Sequence, residues 1–296
     1  ESRAYELGKE RHSGTWLDYV MGCTGAMREA GYLLAGCDLH LSSDVPLGGG
    51  LSSSAALEVA LLRALCIASE LELDGIALAL LGQRAENKWV GAPVGAMDQI
   101  AASVGVPGQA LFIDMRSLET QIVGLPPELE VIVIASGITH SNASAGYRTR
   151  RAECVRAAHA LKIAWLRDAT LADVASLPAP LDRRVRHVVT ENLRVLETVT
   201  ALASSDLEAL GALFAASHRS MRTDYEMSVP EIDLLVELSV ADRDVIAARL
   251  TGGGFGGSIV VLARVGQGMA AARRICIAYR ARTKQVPTIL STSIAS

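Results

Sequence analysis

Apolar residues recur at three- and four-residue spacing along most of this chain, the period of a helix with one buried face. That spacing predicts helices over 14–31, 53–70, 75–89 and 96–105. Shorter apolar runs between turn residues predict strands near 36–43 and 109–114. The Leu125-Pro126-Pro127-Glu128 turn interrupts regular structure, and a new strand over 129–135 follows it. The expected division is a first domain over 1–125 and a second over 126–296. In the second, helices are predicted at 145–162, 170–176, 182–203, 206–220 and 229–239. A glycine-rich turn at 252–257, a strand over 258–265, a helix over 267–282 and a strand over 286–291 complete it. Helices and strands mix without a steady βαβ rhythm, so the expected fold class is α+β.

Composition narrows the function. At 296 residues and 50% hydrophobic, the chain can bury one large core or two moderate ones. A net charge of −4 supplies no general attraction to nucleic acid or to an anionic membrane. Two arginine clusters (Arg148, Arg150, Arg151 and Arg183, Arg184, Arg186) lie in helical runs that also carry acids, which reads as solvated helix faces. No apolar run is long enough to span a bilayer, and the first residues do not resemble a signal peptide. The five cysteines are odd in number and far apart, as expected of reduced thiols in a cytoplasmic protein.

Candidate chemistry begins at residues 46–56, Pro-Leu-Gly-Gly-Gly-Leu-Ser-Ser-Ser-Ala-Ala. Three glycines allow a tight turn into a helix start, whose unpaired N–H groups and positive dipole end can bind phosphate. The serines add hydroxyls that can cap the helix, touch phosphate oxygens or hold a metal ion. The plainer alternative is a glycine turn with an ordinary serine cap. The Gly-Lys-Ser/Thr ending of a Walker A loop is absent, and none of the four lysines (Lys9, Lys88, Lys162, Lys284) lies in a glycine-rich loop.

Two further stretches carry polar groups at suggestive positions. Glu86, near the end of one predicted helix, and Asp98, at the start of the next, flank a Gly/Pro turn. Two carboxylates so placed can converge, one to hold magnesium and the other to accept a proton from a substrate hydroxyl. On spacing alone, a surface acid and an N-cap at Asp98 fit equally well. The run Thr251-Gly-Gly-Gly-Phe-Gly-Gly-Ser258 contains a literal G-x-G-x-x-G, but it opens a strand where a dinucleotide fingerprint opens a helix. It more simply lets the backbone approach a ligand or the opposite domain.

Taken in order, these pieces resemble the GHMP kinase superfamily, and the galactokinases within it. Pro46 to Ala56 resembles the superfamily's phosphate loop, and Thr251 to Ser258 its C-terminal glycine motif. The galactokinase branch is suggested by Glu86 to Gln99, by the run from His140 through Tyr147 to Cys154, and by the run from Ser217 through Tyr225 to Ser228. The resemblance implies a two-domain α+β kinase with its active site in the interdomain cleft. It also implies ATP-dependent phosphorylation of D-galactose at the anomeric hydroxyl. Pro46, Gly48, Gly49, Gly50, Leu51, Ser52, Ser53, Ser54 and Ala55 match its ATP phosphate-binding positions. Ser54 and Glu86 match its magnesium ligands, Asp98 its catalytic carboxylate, and Gly95, Asp98 and Tyr147 its sugar contacts. Trp16 resembles a residue near the adenine, or equally a core aromatic. The implied partners are small molecules, ATP and galactose, with Mg2+ as cofactor, no nucleic acid or membrane, and a monomer as the family default.

The family's opening segment, resembling Gly-Arg-Val-Asn-Leu-Ile-Gly-Glu-His-Thr-Asp-Tyr, is not among these 296 residues. It supplies an arginine and most polar sugar contacts, so the expectation is that these residues belong to a longer protein. Val94, Ala96 and Ser258 depart from the family's usual residues as packing changes. Asp44 adds a negative charge beside the phosphate loop. Two alternatives stay open: a related sugar-1-kinase acting on arabinose, galacturonate or N-acetylgalactosamine, and a non-catalytic sensor of galactose and ATP.

Overall fold

Amphipathic helices make up most of both halves of this computed structural model, which describes residues 2–45, 51–92, 94–139 and 143–290. The chain divides into two compact units, Glu1–Ile122 and Val123–Ser296. In the first, α1 (Leu17–Glu29), α2 (Ser53–Ala68), α3 (Gly75–Ala85) and α4 (Met97–Val104) precede a two-stranded sheet of β1 (Gln109–Ile113) and β2 (Thr120–Gly124). The apolar stripes of α1, α2 and α3 meet on Cys23, Met27, Leu61, Leu62, Leu65 and Leu81. Asp74 starts α3 by accepting the Ala77 N–H at 2.7 Å, the side-chain cap expected at a helix start. A smaller cluster of Ala79, Ala96 and Ile100 is backed by Leu111 and Ile113 of β1.

The second unit is built on an antiparallel sheet in the order β4-β5-β3-β6: Val245–Thr251, Gly256–Arg264, Leu129–Thr139 and Thr288–Ile289. Around it lie α5 (Ala143–Leu161), α6 (Leu171–Val174), α7 (Leu181–Ala203), α8 (Leu207–Thr223), α9 (Pro230–Val240) and α10 (Gly268–Thr283). Alternation along the strands serves two layers. Ile132, Ile134, Leu250, Ile259 and Val261 pack with Ile232 and Leu235 of α9 and Ile275 and Tyr279 of α10. Leu129, Ala247 and Leu262 pack with Ala201 of α7 and Leu210 of α8.

Three expectations need correction. Residues 36–43 form no strand: a strand exists by exchanging hydrogen bonds with a neighbour, and none runs beside them among the described residues. The last strand is two residues long where 286–291 was expected, and Ser291 lies outside the described residues. The arginine clusters are solvated only in part: Arg148 and Arg151 are exposed on α5, but Arg184 and Arg150 turn inward. Arg184 is 1% exposed and donates to Glu153 Oε2 at 2.6 Å, Glu226 Oε2 at 2.6 Å and the Asp224 carbonyl at 2.5 Å. Arg150 joins from α5 by donating to Glu153 Oε2 at 2.8 Å. β2 and β4 carried no clear strand signal, because β2 is mostly exposed and the Val-Ile-Ala-Ala-Arg-Leu of β4 suits a helix as well.

The third glycine motif forms the hairpin turn between β4 and β5. Its close approach is to its own unit: Phe255 N–H donates to the Met227 carbonyl at 2.7 Å. A Cβ on Gly254, which has φ +77°, would stand 2.7 Å from that carbonyl oxygen. Gly257 has φ +82° but open space where a Cβ would point. Gly257→Ala is expected to cost only the left-handed backbone strain, about 1–2 kcal/mol. Gly254→Ala adds a collision with backbone and should lower the urea midpoint clearly further at unchanged m-value; equal losses in the two variants would contradict this.

Candidate functional site

The sequence delivers serines to a helix start and leaves their hydroxyls unused. Ser52 precedes α2 in the left-handed region (φ 54°), and its carbonyl accepts the Ala56 N–H at 3.0 Å. Its side chain caps nothing, so the plain serine-cap alternative does not hold. Among the described residues, the Ser53 and Ser54 hydroxyls likewise have no hydrogen-bond partner. No acid lies in the first turn of α2 to offset the positive end of its dipole. Leu51 to Ser54 are half-buried and Ala55 is buried. Pro46, Gly48, Gly49 and Gly50 lie outside the described residues.

Glu86 and Asp98 are displaced from ordinary helix roles by the backbone between them. α3 runs directly into a π-helical turn, Glu86–Val90, which Gly91 ends at φ 79°. Such turns are rare and concentrate at functional sites. The connection to α4 is tied by Asn87, whose Oδ1 accepts the Val94 N–H at 2.7 Å and whose Nδ2 donates to the Val94 carbonyl at 3.2 Å. Gln83 Nε2 donates to the same carbonyl at 3.2 Å. Gly95 is exposed on this turn, with open space where a Cβ would stand.

Glu86 is buried at 7% exposure, which removes the surface-acid alternative. Asp98 is the second residue of α4, after Ala96 and Met97, and makes no cap. It is half-buried, with no hydrogen-bond or ion-pair partner among the described residues. Unspent carboxylates at such a turn are suited to accepting a proton or binding a cation.

Two residues that the sequence reading did not assign complete this cluster. Glu58, fully buried on α2, accepts from Gln99 Nε2 at 3.0 Å, and Glu86 Oε2 accepts from the same nitrogen at 2.6 Å. Burial pushes the Glu58 carboxyl up to about 8, Gln99 pulls it down, and the nearby Glu86 charge adds to the rise. The available signal was a lone acid inside the apolar run Ala55 to Leu65, a position that a surface role does not explain.

Trp16, 40% exposed at the start of α1, borders a hollow of about 490 Å³ with Tyr5, Val20, Leu39 and Leu41. In the second unit Tyr147 stands 42% exposed on α5. Among the described residues no group of three or more His, Cys, Asp or Glu can hold a metal by itself, and no helix is long and apolar enough to cross a membrane.

A family model for the GHMP kinases N terminal domain matches residues 18–106, and one for GHMP kinases C terminal matches 198–281. The chain is 44% identical over 262 residues to a galactokinase of Roseiflexus sp. (strain RS-1), covering 86% of this chain and 67% of that one. It is 42% identical over 284 residues to a galactokinase of Streptomyces coelicolor, covering 93% and 73%. Lactococcus lactis galactokinase complexed with galactose shares the fold with a TM-score of 0.86 at 26% identity, over 95% of this chain and 75% of that chain. L. major mevalonate kinase in complex with R-mevalonate, at 20% identity and a TM-score of 0.57, shares the fold alone.

The raised Glu58 carboxyl has a consequence for stability. The folded state keeps a proton that the unfolded chain releases near 4.5, so stability falls as pH rises from about 4.5 to about 8 and levels off above. Glu58→Gln cannot release that proton. The variant should match the wild type near pH 5 and exceed it above pH 8, by on the order of 4 kcal/mol. Parallel urea-stability curves for the two proteins across that range would refute the buried neutral acid.

Proposed function

The chain belongs to the galactokinase family of GHMP kinases, and on that premise we propose that it phosphorylates D-galactose at the anomeric hydroxyl, forming galactose 1-phosphate and ADP from ATP. The observation that carries the reading is Asp98, a half-buried carboxylate at the start of α4 that caps nothing and pairs with nothing among the described residues. An acid in that position has no structural task to explain it.

Phosphoryl transfer asks a protein mainly for positioning and charge neutralisation. The glycines ahead of α2 and its first N–H groups hold the ATP phosphates, assisted by the Ser52 and Ser53 hydroxyls. The hollow beside Trp16 takes the adenine. Gly95 lies beside the sugar. Asp98 accepts the proton of the C1 hydroxyl as that oxygen forms its bond to the γ-phosphorus and the bond to the ADP oxygen breaks.

Magnesium fits the donors present. The Ser54 hydroxyl is free of partners among the described residues, and Glu86 has only one of its two carboxylate oxygens engaged by Gln99. Both are hard oxygen ligands of the kind this cation takes with substrate phosphates. Bound there, the ion would neutralise charge on the phosphates; Ser54 and Glu86 hold it in place.

The test is ADP release with Mg2+-ATP and a panel of sugars. Galactose is expected to give the highest kcat/KM, with arabinose, galacturonate and N-acetylgalactosamine below it. Asp98→Asn should lose about 10²–10⁴-fold in kcat while keeping its melting temperature and ATP affinity. Turnover near the wild-type rate in that variant would remove Asp98 from the reaction. Galactose binding without any ADP release from the wild type would favour a sensor.

A further inference from the structure

The Gln99 amide engages two carboxylates through one nitrogen. Nε2 donates to Glu58 Oε2 at 3.0 Å and to Glu86 Oε2 at 2.6 Å. The acceptors come from different elements: Glu58 from α2, one turn past Ser54, and Glu86 from the first position of the π turn. The donor follows Asp98 directly on α4. One nitrogen therefore ties together the segments that carry the serine helix start, Glu86 and Asp98. Gly82 of α3 leaves the room for it: a Cβ there would stand 3.2 Å from Gln99 Cγ and 3.4 Å from Glu58 Oε2.

The second unit solves a similar problem with charge. Its carboxylates Glu153 and Glu226 meet on the Arg184 guanidinium, and with Arg150 and Arg183 it supplies both hydrogen bonds and neutralising charge. Gln99 supplies hydrogen bonds to Glu58 and Glu86 with no charge of its own, because a primary amide has two N–H donors and is neutral. An arginine or lysine at this position would compete with a divalent ion for Glu86. A neutral clamp fixes the direction of the carboxylate and leaves its negative charge available.

We infer that Gln99 is a positioning residue for divalent-cation binding, orienting the Glu86 carboxylate from behind while Glu58 anchors the amide. The inference deepens the kinase reading and rests on it, because it takes Glu86 as a ligand of the ion that accompanies ATP. Groups that orient a metal ligand commonly change metal affinity 10–100-fold when removed.

The experiment titrates the protein with Mn2+ in the presence of ATP and without sugar, read by electron paramagnetic resonance, alongside melting temperature. Gln99→Met keeps the length of the side chain and removes both donors. It should weaken Mn2+ binding about 10-fold or more and raise the Mg2+ needed for half-maximal ADP release in proportion, with KM for galactose unchanged. Gly82→Ala pushes the amide without deleting it, on a helix that alanine favours. It should weaken Mn2+ binding without lowering the melting temperature, and it keeps the question answerable if Gln99→Met does not fold. Glu86→Gln separates the two layers of the argument. If it leaves Mn2+ binding unchanged, the ligand reading fails and takes this inference with it. If it weakens binding while folded Gln99→Met and Gly82→Ala do not, the clamp is only structural and the inference is overturned.

Discussion

A carboxylate withdrawn from water is driven toward its neutral form, and a second carboxylate nearby strengthens that drive. Glu58 lies in this situation, buried beside Glu86, and both side chains reach one amide nitrogen. The arrangement of the first unit follows from it. α2, the π turn and α4 must present their side chains to Gln99 together, and α3 must offer a glycine where that amide packs. The same geometry stations the serine helix start, Glu86 and Asp98 on segments joined through one point. The group that satisfies a burial cost is also the one that arranges the candidate chemistry.

The second unit handles its buried charge by neutralisation. Arg184 is nearly inaccessible and is matched by Glu153, Glu226 and the Asp224 carbonyl, so removing it would leave Glu153 to Arg150 and Glu226 to Arg183. His187, whose imidazole burial lowers to about 4, stacks on Tyr225 and exchanges a hydrogen bond with Ser220. These groups bind α5, α7 and the 224–226 segment into one framework. The contrast is physical: this framework spends its charges on one another, whereas Asp98 in the first unit has no partner among the described residues.

Much of this was legible in the sequence. Helical periodicity located α1 to α4 and α7 to α10 within a few residues, because each buries one face and the 3.6-residue period records it. The strand after the third glycine motif was also readable, since Ser258 to Leu262 are nearly all apolar and β-branched residues dominate. Failures arose where the signal depends on a partner. Residues 36–43 alternate apolar and polar positions at Cys37, Leu39 and Leu41 but have no neighbour, and β4 has a neighbour but a composition that suits a helix as well. The arginine clusters looked solvated because their acids were counted along the helix, while the ones that bury Arg184 come from α5 and from residues 224–226.

The sequence by itself determined the family, the order of its motifs and the identities of Ser54, Glu86 and Asp98, since these follow from residue type and spacing along one chain. Only the tertiary structure decided what those residues are free to do. It showed that Glu86 is buried, that Asp98 caps nothing, and that Glu58 and Gln99, 41 residues apart, share a hydrogen bond. Burial and long-range hydrogen bonding are properties of pairs brought together by folding. No local period or composition records them, and they set the protonation of Glu58 and the orientation of Glu86.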